Sequence, residues 1–155
     1  MTELSPFAIA LHALAAIVWV GGMFFAYMVL RPALGALEGP QRLRIWATVF
    51  GKFFPWVWAA AILLLLTGYM QVFVDFGDFA SAGLHVNIMH WLGVLMVFLY
   101  FFLFFGPYPK FTDAVGREDW QTAAMHLNVI RQIVLTNLIL GLVVSGVGAS
   151  GRLWP

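Results

Sequence analysis

Four histidines, at positions 12, 85, 90 and 126, are the side chains of this sequence best suited to metal chemistry. A neutral imidazole binds transition metals and haem iron through a ring nitrogen. The chain contains no cysteine, which excludes disulfides, thiolate metal sites and iron–sulfur clusters. The histidines therefore direct attention to haem or to a metal held by nitrogen and softer ligands.

The elements that position these histidines are long apolar segments. Hydrophobic residues make up 63% of the 155 residues and charged residues only 10%, whereas soluble domains carry about a quarter charged residues. Runs such as AAAILLLLTGY do not alternate between polar and apolar residues, which favours helices over a membrane barrel. We predict an all-α integral membrane protein, an up-down bundle of four transmembrane helices in a single domain, residues 1–155. The predicted spans are 6–30, 53–74, 84–105 and 129–148.

The charges of the connecting segments predict the orientation. Seven basic residues lie in the two segments that join spans one to two and three to four, and only Arg152 lies on the side of the termini. By the positive-inside rule the basic side is cytoplasmic. Both termini are then periplasmic, and the chain is a multi-pass protein of the bacterial inner membrane. A net charge of +1 indicates no nucleic-acid partner.

Two segments beside the spans have the pattern of further helices. PQRLRIWATVFGKFF, residues 40–54, predicts a short helix on the membrane surface before span two. Pro55 then falls in the first turn of span two, where its missing N–H costs little. A second helix is predicted to begin near Asp119 and to continue into span four.

The depths of the histidines suggest a haem site. His12 and His90 each lie six residues into their spans from the same side, roughly 9 Å below the boundary at the rise of an α-helix. Spans one and three form a diagonal pair in an up-down bundle. His12 can therefore bind a haem b iron from one side, with His90, or His85 about 7 Å nearer the surface, on the other. His126 lies at the opposite end.

Neighbouring residues are compatible with such a haem. Trp19 and Met23 fall on the same face as His12 and could line an apolar pocket. Gly93, one turn from His90, leaves room for a flat macrocycle, and Arg131 could pair with a propionate. Electron transfer would follow, with quinone or a periplasmic redox protein as the partner.

A copper site is the alternative. His85 and His90 could gather with Met70 and Met89 at the periplasmic mouth, and His12 could also contribute. Imidazole and thioether are suitable copper ligands, and thioether favours Cu(I). The partner would then be a periplasmic copper protein.

Several enzyme classes lack their residues. No carboxylate pair lies within a span, and no GxSxG, phosphate-binding loop or HExxH motif occurs. Redox chemistry or metal handling remains, and whether a reaction is catalysed stays open. A structural subunit of a larger membrane assembly, or a homo-oligomer, is also compatible with the lipid-facing spans.

The chain resembles the CopD superfamily of bacterial membrane proteins, and more distantly the HemJ-type protoporphyrinogen oxidases. The resemblance rests on LHALAAIVWVGGMFFAYMVLRPAL in span one, LHVNIMHWLG in span three and RQIVLTNLILG in span four. It implies either copper resistance or uptake, or haem b binding with protoporphyrinogen oxidation. His12 matches the haem-ligand candidate of HemJ, and His85 matches the histidine that opens its third span. Asn87 stands where those oxidases have a basic residue.

Overall fold

Four long apolar helices dominate the structure, a computed structural model that describes residues 5–151. Each is long and apolar enough to cross a membrane: span one, Pro6–Ala36; span two, Gly39–Phe76; span three, Leu84–Gly116; span four, Trp120–Ser150. This confirms the predicted all-α class with four spans. Glu3 and Arg152 lie outside the described residues. The side of the membrane that each end faces, and the single-domain organisation, stay predictions.

Span one extends beyond its predicted end at residue 30. It continues through the helical turn Arg31–Ala33 and the 3-10 turn Leu34–Ala36. Two stretches, Ile17–Gly21 and Phe25–Leu30, are π-helical. In the second, the N–H of Arg31 donates to the carbonyl of Ala26, five residues earlier. This wider pairing carries the helix across the proline that we expected to end it.

Span two also begins earlier than predicted. Residues 40–54 are not a separate surface helix but the first half of one continuous α-helix, Gly39–Gln71, which is followed by the π-helical turn Val72–Phe76. Pro55 therefore lies inside a helix and not in a first turn, so that prediction was wrong. The reason is packing: a single buried face runs across the proline, made of Leu43, Trp46, Phe50, Phe54 and Val57. Burial of this stripe outweighs the one hydrogen bond that proline removes.

Span three begins with an α-helix at Leu84–Phe105, the range predicted. A short helix that was not predicted, Pro107–Gly116, follows it. The bend between them needs Gly106, because a Cβ there would lie 2.6 Å from the carbonyl oxygen of Phe102. Span four starts at Trp120, where the Asp119 side chain accepts a hydrogen bond from the Thr122 N–H at 3.1 Å. This confirms the predicted start near Asp119.

The spans pack as two pairs, one with two and three with four, and span one also touches span four. Aromatic rings fill the space between spans two and three, where the Tyr100 hydroxyl donates to the Phe54 carbonyl at 3.0 Å. Between spans three and four, buried Asn137 donates from Nδ2 to the Met96 carbonyl at 3.1 Å. These two bonds fix the register of neighbouring helices in a low-dielectric interior.

Candidate metal-binding end of the bundle

His12 is held by a hydroxyl from span two. Its Nδ1 lies 2.8 Å from Oγ1 of Thr67, and the Thr67 hydroxyl donates its only proton to the Leu63 carbonyl at 2.6 Å. With the Thr67 proton directed at Leu63, the hydrogen bond to His12 requires the tautomer in which Nδ1–H donates to Oγ1 of Thr67. The other ring nitrogen, Nε2, then carries a lone pair. A metal-ligating histidine has this arrangement, with its second nitrogen fixed by a hydrogen bond.

His90 lies on span three among aromatic rings. Its ring centroid is 4.5 Å from that of Phe79 in the loop before span three and 5.4 Å from that of Tyr69 on span two. Thr67, the partner of His12, and Tyr69 are two residues apart, a rise of about 3 Å. His12 and His90 therefore contact span two at nearly one depth, as the sequence predicted. That they share one ligand stays a prediction.

His85 and Met89 lie on one face of span three, against the end of span four. A Cβ on Gly151 would come within 2.4 Å of the His85 ring, and a Cβ on Gly148 would come within 2.9 Å of the terminal methyl of Met89. The space beside each glycine is therefore filled by a side chain of span three: the His85 ring at Gly151 and the Met89 methyl group at Gly148. The spacing i, i+4 makes His85 and Met89 neighbours on the helix surface.

The structure gives fewer contacts for the other residues predicted to bind a metal or haem. Met70 is half-buried near the end of span two, and a Cβ on Gly93 would meet nothing within 4 Å, so this position has open space beside it. His126 is half-buried in the opposite end of the bundle. Across residues 5–151 no three histidine or carboxylate side chains gather in a group that could hold a metal ion. A metal site at this end would therefore rely on two histidines at most, or on thioether sulfur.

A separate cavity of about 330 Å³ lies deeper in the bundle. Trp19 and Met23, which were predicted to line an apolar pocket beside His12, are both buried and line this cavity. None of the described residues around it is a histidine. Asn137 lines it too, and its Oδ1 is buried without a hydrogen-bond partner. The apolar pocket and the histidines therefore belong to different levels of the bundle, which separates Trp19 from the ligands predicted beside it.

Arg131, predicted to meet an anion, lies at the end of the bundle opposite His12. Its Nε is buried without a partner, and so is Nε1 of Trp46 on span two. Both residues line a small cavity together with Arg31 and Tyr27. Trp46 and Thr67 are the two residues here that sequence reasoning missed. Thr67 could have been noticed as the one aliphatic hydroxyl in the run LLLLTGY.

The fold and this end of the bundle define a class of protein: a four-helix membrane protein with three histidines, His12, His85 and His90, towards one end of the bundle, where Met70 and Met89 also lie. The family model of Copper resistance protein D (CopD) matches residues 47–150. The chain thus belongs to the CopD family. No curated protein and no solved structure matches it.

The family match bears on the two cofactor predictions. It supports a membrane protein related to copper resistance and gives no support to haem b or to the HemJ resemblance. The matched range includes Thr67, His85 and Met89 but not His12. Copper, the alternative in the sequence analysis, is therefore the better supported of the two, and haem b remains a prediction.

Proposed function

We propose that this protein handles copper in the membrane, receiving Cu(I) at the end of the bundle where span three begins. The observation that carries the proposal is the pairing of His85 with Met89 on one helical face in a chain of the CopD family. Copper here is the transported or bound substrate, and its uptake across the membrane is the activity.

His85 and Met89 form the proposed receiving pair. One helical turn separates them, so their side chains are about 5–6 Å apart at Cβ. One imidazole nitrogen and one thioether sulfur suit Cu(I), which accepts few and soft ligands. The glycines at 148 and 151 have no side chains, which lets His85 and Met89 pack directly against the end of span four. Met70, at the same end of span two, and His90 stay the further candidates.

His12 is the proposed inner ligand. With Nδ1–H donating to Oγ1 of Thr67, the neutral His12 ring carries its lone pair on Nε2, where a cation can bind. The hydrogen bond to Thr67 selects the tautomer with the lone pair on Nε2 and keeps the ring in one orientation. Copper could thus pass inward from the pair on span three to span one.

The loop at this end carries negative charge that favours a cation. Asp78 accepts a hydrogen bond from the Ser81 N–H at 2.7 Å. This backbone hydrogen bond, with others from the same turn, lowers the pKa of Asp78 below its ordinary value. Asp78 therefore stays ionised well into the acid range. A carboxylate near the entrance raises the local concentration of cations.

The test is copper uptake by protein reconstituted into vesicles, with His85→Ala combined with Met89→Leu. We expect the double variant to lose most Cu(I) binding and uptake, and His12→Ala to lose uptake. His126→Ala is the matched control, because it removes a half-buried histidine from the opposite end and should leave both unchanged. Full uptake by the double variant would refute the proposed pair.

Metal analysis and visible spectra of the same purified sample separate copper from haem. Copper with no Soret band supports the proposal. Stoichiometric iron with a sharp reduced alpha band, and no copper binding, would overturn it in favour of haem b.

A further inference from the structure

The end of the bundle opposite His12 contains two buried N–H groups that nothing in the described part of the chain satisfies. They are Nε1 of Trp46, a residue only 3% exposed, and Nε of Arg131. The two residues line the same cavity of about 20 Å³. A buried donor without an acceptor is destabilising, and more so when it belongs to a charged group. Two such donors at one place indicate a missing acceptor.

The charges around this cavity indicate that the acceptor is an anion. Arg31 lines the cavity with its guanidinium 4.8 Å from the centroid of the Tyr27 ring. The charge on Arg131 is opposed by those of Arg31 and Arg42. Within residues 5–151 the ion pairs are Arg44 with Glu118 and Arg117 with Asp113. Arg31 and Arg131 therefore line one cavity, with the charge of Arg42 close enough to oppose that of Arg131, and none of the three has an ion-pair partner among residues 5–151.

A water molecule could accept from the two buried donors but would leave three like charges together. A phosphate group has oxygen atoms that accept hydrogen bonds from the two donors, and its negative charge neutralises the arginines. Guanidinium groups bind phosphate oxygens through pairs of parallel hydrogen bonds. Arginines therefore suit a phosphate ligand better than lysines do. One phosphate oxygen fits a cavity of this size, and the rest of the group would remain at the surface beside Arg31.

We propose that Arg31, Arg131 and the indole N–H of Trp46 form a binding site for the phosphate of an anionic phospholipid. Arg31 lies towards the end of span one, Pro6–Ala36, and Trp46 towards the start of span two, Gly39–Phe76, so the site is towards one end of the bundle. Lipid headgroups surround the ends of membrane-spanning helices. Basic pockets between transmembrane helices at this depth suit such headgroups. The site lies at the other end of the bundle from the proposed copper ligands. The lipid proposal therefore does not depend on the copper proposal.

The experiment measures phospholipid retained by the detergent-purified protein, by native mass spectrometry, after titration with dioleoylphosphatidylglycerol. Arg131→Gln removes the buried guanidinium, and Trp46→Phe removes only the indole donor while keeping an aromatic ring beside Phe50. Lys110→Gln is the matched control, since it makes the same charge change at an exposed position on this side. We expect each test variant to bind the lipid at least about tenfold more weakly, the loss expected for one hydrogen bond to a charged group. Lys110→Gln should bind as the wild type does.

Thermal unfolding of lipid-free protein distinguishes a ligand site from a structural role. Without lipid, Arg131→Gln should unfold no earlier than the wild type, because it removes an unpaired charge. Added phosphatidylglycerol should raise the unfolding temperature of the wild type and leave that of Arg131→Gln unchanged.

Inorganic phosphate in place of lipid identifies the source of the group. Stabilisation by phosphate alone, lost in Arg131→Gln, would keep the phosphate site but assign it to a soluble ligand. Equal lipid retention by Arg131→Gln, Trp46→Phe and Lys110→Gln would overturn the proposal, as would early unfolding of lipid-free Arg131→Gln.

Discussion

Replacing Thr67 with valine tests whether the hydroxyl on span two prepares His12 for copper. Valine has nearly the shape of threonine, so the buried site should keep its packing, and the loss is confined to hydrogen bonds. The bond from Thr67 to the Leu63 carbonyl costs little to remove, because that carbonyl still accepts the helical N–H of residue 67. The bond from Nδ1 of His12 has no such replacement.

The magnitude follows from this one bond. Its loss should lower the free energy of unfolding by about 0.5–1.5 kcal/mol. The imidazole also becomes free to rotate and to change tautomer, and loss of such a partner lowers metal affinity by about 10–100-fold. We therefore expect Thr67→Val to bind Cu(I) about 10–100-fold more weakly with only a small loss of stability.

Competition against a Cu(I)-specific chromophoric chelator measures the affinity, and thermal unfolding in the same detergent measures the stability. Thr67→Ser keeps the hydroxyl and should restore wild-type affinity. Thr136→Val is the control, because Thr136 also donates to its own helix, at the Gln132 carbonyl, but is exposed and distant from His12 in sequence and span. Unchanged Cu(I) affinity in Thr67→Val, or an equal loss in Thr136→Val, would refute the role given to the hydroxyl.

Two further predictions concern the ends of span four. Gly151→Ala places a methyl group within 2.4 Å of the His85 ring. It should therefore displace the ring and weaken Cu(I) binding about tenfold or more. Gly146→Ala is the control, because its methyl group meets nothing within 4 Å, and it should bind Cu(I) as the wild type does. Asp119→Ala removes the acceptor for the Thr122 N–H and should lower the unfolding temperature. Hydrogen bonds from Thr122 lower the pKa of Asp119, so its contribution is present above the unfolded-state value and should be lost as the pH falls below about 4. A stability difference between wild type and Asp119→Ala that persists unchanged at lower pH would contradict this.

The linear sequence was sufficient for the spans because the bilayer imposes a local requirement. A segment of about 20 apolar residues must satisfy its own backbone hydrogen bonds, so composition alone predicts a helix. Residues 84–105 and the start near Asp119 were predicted correctly for this reason. The errors fell at Pro32 and Pro55, where a local rule expects a helix to end or begin. Packing along span two and π-helical pairing in span one carry the helices past these prolines.

The depth of each histidine was likewise readable from the sequence, because helical rise converts residue number into distance. The side chain that each histidine meets was not. Thr67 is 55 residues from His12, and Gly151 is 66 from His85, so only the pairing of spans brings them together. Sequence alone determined that this chain has four apolar spans, with three of its histidines towards the same end of those spans. Tertiary structure decided the hydrogen-bond partner of His12, the packing of His85 and Met89 against span four, and the meeting of Trp46 with Arg131 at one cavity, because these depend on how separate helices pack.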